Sequence, residues 1–132
     1  MSETRGRPHR RGRVLVVDDN AALADNLVDI LDDAGFETRA AHSAAEARQL
    51  AKQDGFDVAL VDVQLPDGDG TALVKALKES HPESELVLLT GFASVESAAA
   101  AVRVGACAYL VKPCATPELL LSVGQAMRQA QS

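Results

Sequence analysis

Tryptophan is absent from this 132-residue chain, and with one tyrosine and three phenylalanines the aromatics reach only 3%. That scarcity argues against the aromatic platforms on which nucleic-acid bases stack. Cysteine is nearly as sparse. Cys107 and Cys114 flank an apolar segment in which about 3.3 Å per residue separates them by roughly 20 Å, too far for a disulfide. Both are expected to be reduced, one buried and one near a site edge. No apolar run is long enough to span a bilayer, and the early arginines are not followed by the apolar stretch of a signal peptide. A cytoplasmic location without a membrane partner is the expectation. His9, His42 and His81 have no second histidine at metal-ligand spacing, so none is read as a ligand.

Positive charge is outweighed over most of the chain. The net charge is -6, yet residues 1 to 13 hold Arg5, Arg7, Arg10, Arg11 and Arg13 against Glu3, a balance of +4 that leaves -10 for the rest. An acidic body argues against direct nucleic-acid binding by the folded part, because phosphate contacts supply most non-specific affinity. Residues 1 to 12, rich in Arg, Gly and Pro with no apolar run, read as a basic disordered tail. Residues 13 to 132 read as one domain, long enough to bury a core without staples. With 47% apolar residues and few rings, Val, Leu and Ala must build that core.

Strand and helix patterns alternate through the domain. Residues 14 to 18 and 57 to 62 are buried strands, 86 to 90 and 108 to 111 two more, and the polar run 37 to 41 suits a sheet edge. Asn20 caps a first helix that Gly35 closes, and Ser43 with Glu46 forms a capping-box pattern. Leu65 to Gly70 is turn chemistry ahead of a helix lined by Leu73, Ala76 and Leu77. Ser94 opens a helix whose apolar face is expected to be Val95, Ala98, Ala99 and Val102. Thr116-Pro117 opens the last, with proline at its first position. Five strands each followed by a helix imply an α/β fold, a parallel sheet covered on both faces.

The chemistry sits where the strands run out. Val14 to Val17 leads into Asp18-Asp19, Val58 to Val61 into Asp62, Leu89 into Thr90-Gly91, and Leu110-Val111 into Lys112-Pro113. In parallel α/β sheets such ends share one edge, where ligands bind. Three carboxylates there would repel one another without a cation, and a hard divalent ion such as Mg²⁺ takes oxygen ligands of this kind. The plainer reading of the acid pair alone is a helix cap. An aspartate can also act as a nucleophile and form an acyl phosphate, provided cations and hydroxyls neutralise the phosphoryl oxygens. Lys112 offers the cation and Thr90 the hydroxyl, with Gly91 allowing close backbone approach.

These motifs, in this order and over residues 13 to about 130, resemble the receiver domain of two-component response regulators. The resemblance implies a flavodoxin-like (βα)5 fold with strand order 2-1-3-4-5. It implies that Asp62 is the phosphoacceptor, fed by a histidine kinase or phosphotransfer protein. Asp19, Asp62 and the backbone carbonyl of Gln64 would ligate Mg²⁺, with Asp18 acting through water. Thr90 and Tyr109 would form a switch, Lys112 would bind phosphoryl oxygens, and the bond to Pro113 would be cis. Such a domain is not an enzyme beyond its own aspartyl phosphorylation and dephosphorylation, and would act on a downstream effector as a monomer or phosphorylation-dependent homodimer. Gly68 stands where many relatives have a bulky residue, which is expected to loosen that loop, and Phe92 is either a tuning residue or a half-buried anchor. Two other functions are weighed: a phosphorylation-independent interaction module, and a phosphatase, which would want a second acid where Gln64 stands.

Overall fold

The computed structural model describes residues 11 to 131. Five parallel strands form one sheet: β1 (Arg13–Val17), β2 (Glu37–Ala41), β3 (Val58–Asp62), β4 (Glu85–Thr90) and β5 (Ala108–Val111). Their order is β2-β1-β3-β4-β5, as expected, with the polar strand β2 at one edge. The intervening helices are α1 (Ala21–Asp33), α2 (Ala44–Asp54), α3 (Gly70–Ser80), α4 (Val95–Arg103) and α5 (Thr116–Gln131). None is long and apolar enough to cross a membrane.

The continuous apolar strands are explained by burial on both faces. In β1, Val14 and Val16 join Leu27, Leu31, Leu119 and Val123 in the layer under α1 and α5. Leu15 and Val17, pointing the other way, pack with Ala47, Leu73, Val74 and Leu77 of α2 and α3. Register is set in the middle of the sheet, where Val16 lies opposite Leu60 and Leu60 opposite Val87. The strands therefore end together at one edge.

Several local expectations are corrected. Residues 1 to 10 of the anticipated tail lie outside the described residues. Arg11 and Gly12 are bonded to the body: the Arg11 N–H donates to Gly35 O, Gly12 O accepts from Glu37 N, and Gln131 Nε2 donates to Arg11 O. These two residues of the anticipated tail are thus hydrogen-bonded to the body. The Leu65 to Gly70 turn is a two-stranded hairpin, Gln64–Leu65 against Gly68–Asp69. Asp67 at its tip accepts the Ala44 and Ala45 N–H groups at 2.8 and 3.0 Å, so Gly68 does not leave the loop loose. Glu46 reaches one residue past the Ser43 cap and takes the His42 N–H. Helix α5 already includes Thr116, which puts Pro117 second, and Cys107 is exposed rather than buried.

The largest correction concerns α4. Val95 and Val102 are 88% and 78% exposed, whereas Ala101 is buried. The core contact is centred on Ala101, with the C-cap residue Val104 packed beside it; of the expected face only Ala98 is half-buried, while Val95, Ala99 and Val102 are exposed.

Candidate functional site

β1 ends at Val17, so Asp18 and Asp19 follow at the edge and face opposite ways. Asp18 is wholly buried and Asp19 is exposed. Asp18 accepts the Asn20 N–H through Oδ1 at 2.9 Å and Lys112 Nζ through Oδ2 at 2.7 Å. The helix cap is Asn20, whose side chain takes the Leu23 N–H. The acid pair is therefore not a simple cap. Asp62 closes the central strand β3, accepting the Gln64 N–H at 3.1 Å and Lys112 Nζ at 3.0 Å. Lys112, just past β5, bridges both carboxylates.

Behind Asp62 the backbone is crowded. A Cβ built on Gly70 would stand 1.9 Å from Asp62 O and 2.9 Å from the Val63 Cα, so α3 can begin this close only with glycine. The Gly70 N–H also donates to Val63 O at 2.7 Å. Around Gly91, by contrast, an added Cβ would meet no protein atom within 4 Å.

Burial raises the Asp62 carboxyl above its ordinary value; the Lys112 and Gln64 hydrogen bonds and the Lys112 charge only partly counter it, and Asp18 adds to the rise. Burial alone would lower Lys112, but hydrogen bonds to Asp18 and Asp62, with their charges, outweigh it and raise the ammonium. The site thus keeps a firmly protonated lysine beside a carboxyl whose charge is poorly solvated. Asp18, Asp19 and Asp62 each present an oxygen within 4.8 Å of the others. Three hard oxygen donors at that spacing fit a divalent cation of the Mg²⁺ type.

Thr90 ends β4 and is buried, but its hydroxyl is engaged in its own loop, accepting the Phe92 N–H at 3.1 Å and donating to Phe92 O at 3.2 Å. Phe92 itself is 83% exposed, which rules out the anchor reading. Tyr109 is half-buried on β5, with its hydroxyl bonded to Ser97 Oγ. The Lys112–Pro113 bond is cis. Cys114, two residues beyond Lys112, is half-exposed near Glu118, and burial together with that carboxylate pushes its thiol up to about 11. It is not a nucleophile at neutral pH. Three contributors escaped sequence reasoning: Gly70, Asp67 and Ser97. A glycine directly after Asp69 and a serine three residues after Ser94 were the available signals, and neither is specific.

Residues 14 to 124 match the response regulator receiver domain family. The chain belongs to that family. It is a receiver domain of two-component signal transduction. Among its relatives, the photosynthetic apparatus regulatory protein RegA of Rhodobacter capsulatus is 34% identical over 117 residues, covering 86% of this chain and 64% of that protein. The response regulator protein PilR of Pseudomonas aeruginosa is 34% identical over 118 residues, covering 89% of this chain and 26% of that one. The receiver domain thus spans less than two thirds of these curated relatives. Among solved structures, a CheY-like receiver domain protein from Methanospirillum hungatei superposes with a TM-score of 0.86 at 32% identity, over 90% of this chain and 95% of that one. A response regulator from Burkholderia pseudomallei, holding a phosphorylated aspartic acid, a calcium ion and citrate, superposes with a TM-score of 0.81 at 34% identity, over 90% and 70%.

Proposed function

We propose that this receiver domain accepts a phosphoryl group on Asp62 from a histidine kinase or a phosphotransfer protein. One comparison among the carboxylates carries the assignment. Asp19 is open to solvent but has no bond to Lys112, whereas Asp18 has that bond and a side chain with no exposure. Asp62 combines the Lys112 contact with a side chain that is 10% exposed. Only there can an incoming phosphoryl group meet both a nucleophile and a fixed cation.

Asp19, Asp62 and the Gln64 backbone carbonyl would hold Mg²⁺ directly, with Asp18 acting through water. The bound ion supplies charge neutralisation for the acceptor and the transferred phosphoryl oxygens. A carboxylate oxygen of Asp62 attacks phosphorus as the bond to the donor nitrogen breaks, and an acyl phosphate forms. Lys112 then has a phosphoryl oxygen to bind as well as Asp18, and Thr90 exchanges its Phe92 contacts for the phosphoryl group. Water then hydrolyses the acyl phosphate, releasing inorganic phosphate and restoring the Asp62 carboxylate, so that in this reading the domain catalyses only its own modification. The carrier of a phosphorylated aspartate in the Burkholderia relative supports this chemistry.

The exposed residues Val95 and Val102 on α4, Val111 at the end of β5 and Leu121 on α5 offer a reporting face for an effector or a second phosphorylated copy. Residues 1 to 12 are assigned as a basic extension of residues 13 to 132, apart from the bonded Arg11 and Gly12. The acceptor is tested by incubating the protein with acetyl phosphate and Mg²⁺ and recording intact mass. One phosphoryl adduct is expected in the wild type and none in Asp62→Asn; an undiminished adduct in the variant moves the acceptor elsewhere.

A further inference from the structure

Ser97 is the third residue of α4, and its hydroxyl has more partners than any other in the site region. It accepts the Ser94 N–H at 3.1 Å and lies 3.1 Å from both Ser94 Oγ and Ser94 O. The Ser97 N–H in turn donates to Ser94 Oγ at 3.0 Å, completing a reciprocal capping box. The Tyr109 hydroxyl bonds the same Ser97 oxygen, from β5.

A serine hydroxyl has one proton and two acceptor sites. Ser97 Oγ accepts the Ser94 N–H, takes the Ser94 hydroxyl as a further donor and has Ser94 O within reach of its own proton. In its contact with the Tyr109 hydroxyl either oxygen can donate. Tyr109 has no other hydroxyl partner among the described residues, so moving the ring leaves the phenol to find water.

We propose that Ser97 is a positioning residue that latches the Tyr109 ring to the N-terminal cap of α4, so that ring and helix start respond as one unit. The proposal rests on the phosphoacceptor reading for its functional meaning, since the ring is moved by events at Asp62 and Thr90. Thr90 lies two positions along the sheet edge, opposite Val111 in the β4–β5 pairing, and Tyr109 is opposite Leu88 in the same ladder. The first turn of α4 also carries Val95, the most exposed large apolar side chain of the reporting face. Releasing the latch therefore alters the helix turn that presents Val95. A switch residue and a surface residue are joined through one oxygen.

The test begins on the free protein, where phosphorylation plays no part. Tyr109 is the only tyrosine and there is no tryptophan, so its ring signals stand apart in the NMR spectrum. Ser97→Ala should shift the ring resonances and make the Ser94 amide exchange roughly five-fold faster, as the loss of one hydrogen bond implies. Ser97→Thr, which keeps the hydroxyl, should restore both. Tyr109→Phe should perturb the Ser94 and Ser97 amides without abolishing the capping box. Ring resonances unchanged in Ser97→Ala, or shifted equally in Ser97→Thr, overturn the latch. Beryllofluoride with Mg²⁺ then separates the two readings: it should move the ring in the wild type and move it less in Ser97→Ala. If it moves neither ring, the phosphoacceptor reading fails, while the free-protein comparison still decides the latch.

Discussion

At the scale of single residues, the proposed acceptor Asp62 is held at a cost to the fold. Burial raises the Asp62 carboxyl above its ordinary 3.8, which means that the folded chain binds that proton more tightly than the unfolded one. The stabilisation from this group is complete below 3.8 and is lost as pH rises through the folded value. At neutral pH the ionised carboxylate is a net burden in the absence of a cation. Asp62→Asn should therefore melt higher than the wild type in metal-free buffer at pH 7, and the gap should close as pH approaches 4. Paired thermal melts at the two pH values measure it; an Asn variant that melts lower at pH 7 would mean that the Lys112 bond outweighs desolvation. Lys112 is the other half of this balance, and its ammonium would leave Asp18 fully buried without a counter-charge if removed.

Among the elements, α4 is the one that the sequence misplaces, and the reason is compositional. Ala98 to Ala101 put small apolar groups on every side of the helix, so only Val95 and Val102 mark a face. Periodicity assigns that pair to the core. Instead α4 approaches the body through Ala101, whose small side chain permits close packing, and the valines face solvent. Their exposure gives a clear contrast in stability. Val102→Ser should change stability by no more than about 0.5 kcal/mol, whereas Ala101→Leu should cost about 1–3 kcal/mol by overpacking. Urea unfolding of both variants decides the phase; a reversed order would return Val102 to the core. The hairpin before α3 was equally invisible, because its pairing is held in part by Asp67 reaching the start of α2, a contact across 22 and 23 residues of sequence. Those two N–H groups hold the Asp67 carboxyl below its ordinary range.

For the whole molecule, three carboxylates gathered from two strand ends make folding sensitive to cations. Lys112 neutralises only part of the charge of Asp18, Asp19 and Asp62. A ligand that binds only the folded state stabilises it by mass action, about 2.7 kcal/mol at a hundredfold excess over its dissociation constant. Melting temperature should rise with Mg²⁺ in the wild type and much less in Asp19→Asn, an exposed position whose substitution leaves the core intact. Equal shifts in the two proteins would place the ion elsewhere.

Much of this arrangement was legible in the chain itself. Apolar runs that stop at Asp18, Asp62, Thr90 and Lys112 specify buried parallel strands and the residues at their ends, because burial on both faces demands uninterrupted aliphatic side chains. Local caps such as Asn20 and Ser43 were equally readable, since a cap acts over three or four residues. What only the tertiary structure decided involves distance in sequence or choice among equal faces. Which acid meets Lys112 without losing access, why Gly70 admits no side chain, and how Ser97 finds Tyr109 all depend on elements brought together by packing. The sequence determines which groups reach the sheet edge, and close packing determines which of them touch.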